Sequence, residues 1–353
     1  MNAMFCRAFQ CCFAVGARFL PWRTPEVFSG EGSLLRAADI LRENGLRRPF
    51  VIASRRQCAD EHFRALQEKL DEQDILLSIF SSVEPNPSVE TVENIAAQYK
   101  IDSCDCFLVI GGGSPMDAAK AAAARLARPD KPLSQLVGLL KVRRRIPPLI
   151  AVPTTAGTGS ETTIAAVVTG SDHHKYAISD LCLIPRYAIL DPALTVGLPP
   201  HITAETGMDA LTHAVEAYLS RFYNTKQTRL LAEHAVVAIF THLERAYRDG
   251  TSLPDRAAML REIAHTVGWH MAQVTAQDYR LFAHAALWTE AEVLQAWDDV
   301  CFDAWFYHET TPPWNPPELP AGPLSEIGEL GRGFRMALFD ADSGLFVYVE
   351  QFG

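Results

Sequence analysis

The sequence lacks any uninterrupted apolar run of the about 20 residues that a membrane-spanning helix requires. Its opening stretch, residues 1–20, is apolar but broken by Arg7, Gln10 and Arg18. It therefore reads as neither a bilayer span nor the clean apolar segment of a secretory signal. Basic charge is in short supply too. Thirty-two Lys and Arg against 42 Asp and Glu leave a formal net charge of −10, so neither nucleic acid nor an anionic membrane has electrostatic support as a partner. The one basic run, Lys141 to Arg145, precedes an apolar strand and reads as a solvated loop. Paired cysteine spacing is absent as well. The eight cysteines, at 6, 11, 12, 58, 104, 106, 182 and 301, sit mostly in apolar runs. Cys104 and Cys106 share one face of a predicted strand, where buried free thiols are usual. A reduced, cytoplasmic protein follows better than a disulfide framework. The glycine pattern G-x-G-x-x-G does not occur.

What the chain has is alternation. Residues 49–54 read as a buried strand, 61–73 as the amphipathic helix after it, 76–80 as a strand and 88–99 as a helix. Cys106-Phe-Leu-Val-Ile110 is a continuous apolar strand of the kind a parallel sheet buries on both faces. It runs into Gly111-Gly112-Gly113-Ser114 and an alanine-rich helix, and a further strand at 149–152 ends at Pro153-Thr154-Thr155-Ala-Gly157-Thr158-Gly159-Ser160. Strand alternating with helix predicts a doubly wound α/β domain with a mostly parallel sheet over 1–195. After Pro199-Pro200 helical patterns dominate, including 225–248, and predict an all-α domain over 196–300. Residues 301–353 form an atypical tail: 305–323 is rich in proline and aromatics and reads as loop, while 334–349 alternates around a turn and reads as a β-hairpin.

Two features carry chemistry. A strand that enters a helix through successive glycines lets the backbone approach a phosphate and offers it the free N–H groups of the helix start. Here such a turn occurs after two different strands, and Ser114, Thr154, Thr155 and Thr158 add hydroxyls. The second feature is the helix at 203–218, where Asp209 and His213 stand at i and i+4 and leave the same face. That spacing fits a plain hydrogen-bonded pair; beside two dinucleotide-type turns it also fits half of a metal site.

These stretches resemble the iron-containing (group III) alcohol dehydrogenase family. The wording that carries the likeness is GGGSPMDAAK at 111–120, AVPTTAGTGSETT at 151–163, HHKYAISD at 173–180 and DPALTVGLPPHITAETGMDALTHAVEAYLS at 191–220, and the likeness runs from the opening residues (CRAFQ, FLPWRTPE, GEGSLL) to about Arg261. The resemblance implies a dinucleotide-binding α/β domain, a helical domain and a divalent metal, Fe²⁺ or Zn²⁺, held in part by Asp209 and His213. It places cofactor contacts on Asn86, Gly112, Gly113, Ser114, Thr154, Thr155, Thr158 and Lys175. Where the family often carries an Asp for the adenosine ribose, this chain reads Ala53-Ser54-Arg55-Arg56. Ser54 with two guanidiniums favours a 2′-phosphate and so NADP over NAD, although arginines after a strand can also simply face solvent.

The pattern breaks downstream. The family supplies two further histidine ligands and a Pro-His-Gly, and no matching segment exists here. His270 and His284 repeat the family's ligand gap without its neighbouring residues, and read better as packing or surface histidines. No general base is assigned. The expected activity is hydride transfer between NAD(P) and a primary alcohol or its aldehyde, with the alternative of an impaired nucleotide-binding relative lacking a full metal site. Association into a homo-oligomer stays open.

Overall fold

A computed structural model describes residues 23–219, 226–261, 302–307, 333–340 and 345–352. Apolar strands bounded by caps and glycine turns build the first unit, 1–281; the second is 282–353. In order come β1 (Glu26–Ser29), α1 (Arg36–Glu43), β2 (Pro49–Ala53), α2 (Arg55–Cys58), α3 (Glu61–Asp71), β3 (Ser78–Phe80), α4 (Val89–Ile101), β4 (Cys106–Gly111), α5 (Gly113–Ala127), β5 (Gly138–Leu139), β6 (Leu149–Pro153), β7 (Ala165–Thr169), β8 (Lys175–Ser179), β9 (Tyr187–Leu190), α6 (Pro200–Leu219) and α7 (Lys226–Arg248). Residues 253–261 are helical.

Six strands form one parallel sheet in the order β3-β2-β4-β6-β9-β1. All five residues of β2 and of β6 are buried, and all six of β4. Alternate side chains go to opposite faces, as the pleat requires. Phe50, Ile52, Phe107, Val109 and Ala151 pack with α4 and α5 residues such as Val92, Ile95 and Met116. Val51, Ala53, Leu108, Ile110, Ile150 and Val152 pack with Ile40 and Leu41 of α1 and Phe63, Leu66 and Leu70 of α3. The helices begin where side chains replace missing backbone acceptors. The Asp60 carboxylate accepts the His62 N–H at the start of α3, and the Ser88 hydroxyl accepts that of Thr91 at the start of α4.

The strand order reverses between β2 and β4: β3 is added on one side, then β4, β6 and β9 on the other. Ligands of open α/β sheets bind at such a reversal, outside the carboxyl ends of the strands. A second sheet, β5-β8-β7, holds the hairpin of β7 and β8, which the sequence patterns did not announce. Cys104, expected within the strand, precedes β4, and Cys58, Cys104, Cys106 and Cys182 are free thiols. Among the described residues no helix is long and apolar enough to cross a membrane. In the second unit β10 (Phe302–Tyr307), β11 (Gly333–Asp340) and β12 (Leu345–Phe352) form an antiparallel sheet with Asp340 opposite Leu345. Residues 305–307, read from the sequence as loop, thus belong to a strand.

Candidate cofactor and metal site

Three turns leave the carboxyl ends of β2, β4 and β6, and they lock onto one another. After β2, Ser54 caps α2: its hydroxyl accepts the Gln57 N–H at 3.2 Å while Gln57 Oε1 accepts the Ser54 N–H at 2.7 Å, a reciprocal capping box. Gln57 also donates from Nε2 to Thr154 Oγ1 at 3.0 Å, tying this turn to the one after β6. After β4, Gly112 precedes α5 with no side-chain cap, so the helix start keeps N–H groups for a ligand. A Cβ on Gly112 would lie 3.1 Å from Thr155 Oγ1, and one on Gly113 would lie 3.2 Å from the Thr158 methyl. The two glycine turns are therefore in contact through the residues predicted to hold a cofactor.

Asn86 and Lys175 join the group from the side. The Asn86 N–H donates to Ser114 Oγ at 3.2 Å, and the Asn86 carbonyl accepts the Thr169 hydroxyl at 3.2 Å. Asn86 sits at a positive φ of 56°, a conformation asparagine tolerates better than most residues. Thr169 stands opposite Lys175 in the β7–β8 hairpin, so one hairpin end carries Lys175 toward the Asn86–Ser114 corner. The Ser54 hydroxyl is occupied by the cap, where it accepts the Gln57 N–H. Arg56 Nη2 donates to the Gly197 carbonyl at 3.2 Å.

Helix α6 abuts the second turn. A Cβ on Gly157 would meet the Thr206 carbonyl oxygen at 2.3 Å, so only glycine lets the turn reach the helix backbone. One turn further along α6, Asp209 Oδ1 and His213 Nε2 stand 3.7 Å apart, their side chains 43% and 18% exposed. That is too long for a hydrogen bond, yet near the roughly 3–3.5 Å between two donors that each hold one cation at about 2.1 Å. His213 Nδ1 is buried without a hydrogen-bond partner among the described residues, an arrangement that costs roughly 1–3 kcal/mol unless something offsets it. One carboxylate and one imidazole suit Fe²⁺ or Zn²⁺. They fill two positions only: among the described residues no group of three or more His, Cys, Asp or Glu could hold a metal. His270 and His284 lie outside the described residues.

Sequence reasoning passed over a buried charge cluster behind the second turn. Lys120 is 0% exposed and Glu161 is 3% exposed. Burial pushes the Asp117 carboxyl up to about 6 and the Glu161 carboxyl up to about 7, and pulls the Lys120 ammonium down to about 8, each partly offset by its opposite charges. The available signal was an Asp and a Lys inside an alanine-rich helix.

The comparisons with known proteins follow this geometry. Residues 24–192 match the family described as iron-containing alcohol dehydrogenase, and residues 203–285 match its C-terminal domain. The second match runs past Arg261, where the family wording thins out, and takes in His265, His270 and His284. An Escherichia coli protein named "Probable alcohol dehydrogenase EutG" is 36% identical over 237 residues, 67% of this chain and 60% of that one. Across the relatives compared, the chain spans about half to three fifths of their length. Among solved structures, an iron-containing alcohol dehydrogenase of Thermotoga maritima superposes with a TM-score of 0.65 at 34% identity, covering 71% of this chain and 68% of that one. A sulfoacetaldehyde reductase of Bifidobacterium kashiwanohense in complex with NAD⁺ superposes with a TM-score of 0.64 at 30% identity, covering 71% and 66%. With the reversal-point turns, the α6 pair and both halves of the family pattern in one chain, the protein belongs to the iron-containing alcohol dehydrogenase family.

Proposed function

We propose that this protein transfers a hydride between NAD(P) and a primary alcohol or its aldehyde, with Fe²⁺ or Zn²⁺ bound beside the nicotinamide. The observation that carries this reading is the contact of Gly157 with Thr206, which puts the second cofactor turn against the helix that bears Asp209 and His213. In this reading the Gly112–Ser114 helix start takes the diphosphate by backbone N–H groups and the Ser114 hydroxyl. Thr154, Thr155 and Thr158 donate to the diphosphate and the nicotinamide ribose, and Asn86 and Lys175 close the side. Ser54, Arg55 and Arg56 face the adenosine ribose, where the guanidiniums favour a 2′-phosphate. Asp209 and His213 hold the metal, with His270 and His284 as the candidates for the remaining donors. When bound, the metal supplies Lewis-acid polarisation of the substrate oxygen. The protein's share is to fix reactant geometry and exclude water around it.

A second reading is favoured by one observation: the described residues offer two metal donors, and catalytic sites of this type supply three or more. It is a cofactor-binding relative without turnover. Metal analysis and NADPH and NADH fluorescence titration of the wild type, Asp209→Ala, His213→Ala, His270→Ala and His284→Ala separate the two. Under the dehydrogenase reading the wild type retains stoichiometric metal and oxidises 1-butanol. Asp209→Ala and His213→Ala lose the metal and about 100-fold or more in kcat/KM, while still binding cofactor. A wild type that binds cofactor but neither keeps Fe²⁺ or Zn²⁺ nor turns over simple alcohols establishes the second reading instead.

A further inference from the structure

Lys120 lies on α5, two turns in from the glycine start, and no solvent reaches it. Its Nζ faces five oxygens: the Ser160 carbonyl at 2.5 Å and hydroxyl at 3.2 Å, the Thr163 carbonyl at 3.0 Å and hydroxyl at 2.8 Å, and the Ala165 carbonyl at 3.1 Å. All five belong to the six residues that lead from the second glycine turn into β7. The Ser160 hydroxyl donates to Asp117 Oδ1 at 3.0 Å, and Asp117 Oδ2 accepts the Val167 N–H at 3.2 Å. The Ser160 N–H in turn donates to Thr158 Oγ1 at 3.4 Å, and Thr158 is the residue against Gly113. One side chain thus reaches, through Ser160, the hydroxyl that lines the two-turn junction.

A buried ammonium is costly unless every proton has an acceptor and a charge lies near. Leucine or alanine at position 120 would fill an alanine-lined helix face without that cost. The loop 154–163 carries no strand or helix of its own beyond single turns, so side-chain bonds add to its few backbone ones, and Lys120 supplies the densest set of them. Resting on the cofactor reading above, we propose that Lys120 is a positioning residue for cofactor binding: from α5 it clamps the outgoing limb of the second glycine turn and so sets Thr155 and Thr158 against Gly112 and Gly113.

The clamp is tested on the full chain with Lys120→Met, which keeps length and removes the charge, and Thr163→Val, which removes one acceptor hydroxyl. Amide hydrogen exchange is followed by mass spectrometry, NADPH and NADH affinity by fluorescence, and unfolding by heat, all binding measurements being made well below each midpoint. The expected result is amide exchange about tenfold faster in peptides covering 154–163, with β2 and α4 peptides unchanged. Cofactor affinity falls about tenfold for Lys120→Met and by a smaller factor for Thr163→Val. Exchange that stays at the wild-type rate in 154–163, or that rises evenly across β2, α4 and the turn with cofactor affinity intact, overturns the proposal by making Lys120 a filler of the fold. Should Lys120→Met fail to fold, the Thr163→Val exchange map decides alone. A wild type that binds neither cofactor sinks the cofactor reading; faster exchange confined to 154–163 still supports the clamp in that case, and its absence removes both.

Discussion

The cofactor side of the site and its metal side are built in different ways. Around the cofactor turns several of the functional hydroxyls are tied by hydrogen bonds to neighbouring segments. Gln57 ties the β2 turn to Thr154, Ser114 ties α5 to Asn86, and Ser160 ties Thr158 to Lys120. On the metal side, Asp209 and His213 face each other at 3.7 Å along α6, whose Ala210, Leu211, Ala214 and Val215 are buried. Helix α7 behind them leaves Leu230, Val237, Phe240 and Tyr247 between 48% and 65% exposed, whereas the sheet faces are sealed by helices. The α/β part is closed by its own two cores. Helix α6 meets the α/β part at Gly157, and Arg256 donates to Thr203 Oγ1 at 2.9 Å near the start of that helix.

That contrast breaks most readily at Gly157. In Gly157→Val the first carbon of the new side chain already collides with a helix carbonyl, and backbone cannot move aside as a side chain can. The expected cost is about 3 kcal/mol or more, a fall in the thermal midpoint of about 6 °C or more, with metal retention and cofactor affinity lost together. Gly207→Ala is the control. Its Cβ would crowd Leu243, with Cδ1 at 2.3 Å, Cδ2 at 2.8 Å and Cγ at 3.1 Å, a side chain rather than backbone, and alanine is the better helix former by about 1 kcal/mol. Its net effect stays below about 1 kcal/mol. Equal midpoints for the two variants would mean that the second turn does not bear on α6.

The buried carboxylates give a smaller, pH-dependent effect. Burial raises the Glu161 carboxyl from 4.5 to about 7 and the Asp117 carboxyl from 3.8 to about 6. The folded protein then binds these protons more tightly than the unfolded chain, so their stabilising share is complete below the ordinary carboxylate range. It is lost as the pH rises through about 6 to 7. Lys120, lowered from 10.5 to about 8, acts above that window, where stability recovers between pH 8 and 10.5. Glu161→Gln removes one carboxylate from the balance. Relative to wild type it gains on the order of 1–3 kcal/mol between pH 5 and 7.5, read as diverging midpoints in urea. Parallel midpoints across that range would show that the Glu161 carboxyl is not desolvated in the folded protein.

Much of this arrangement is written in the chain in short-range terms, and some of it is not. The runs PFVIA, CFLVIG and LIAVP, buried on both faces, name β2, β4 and β6 because a covered parallel strand is apolar throughout. Helix α6 starts at Pro200 rather than at Thr203; the Pro-Pro pair reads as a break, yet the first helical position has no use for an N–H. The capping box of Ser54 and Gln57 is also a local signal. The β7–β8 hairpin is different. Its strands are short and mixed, and they gain partners from distant segments: β5, Asp117 and Lys120 of α5, and the Asn86–Ser88 segment. Lys120 is the furthest from legible: a lysine in a helix reads as a solvated residue, and only five distant oxygens make it an interior one. The contact of Gly157 with α6 likewise exists only once the helix has docked.

The finest distinction on the cofactor side concerns the two arginines after β2. Arg56 already donates to Gly197, so its guanidinium has a structural task as well as the proposed one, while Arg55 beside it is exposed. If they recognise a 2′-phosphate, Arg55→Ala and Arg56→Ala each lower NADPH affinity by about 3- to 10-fold and leave NADH affinity unchanged. Added salt then erodes the NADPH preference of the wild type, because exposed charges are screened. Equal losses for both cofactors in Arg56→Ala would assign that residue to fastening the 195–200 segment under the adenosine end. No loss in either variant would leave both arginines facing solvent, and the cofactor side would then hold its ligand by backbone and hydroxyl groups without help from charge.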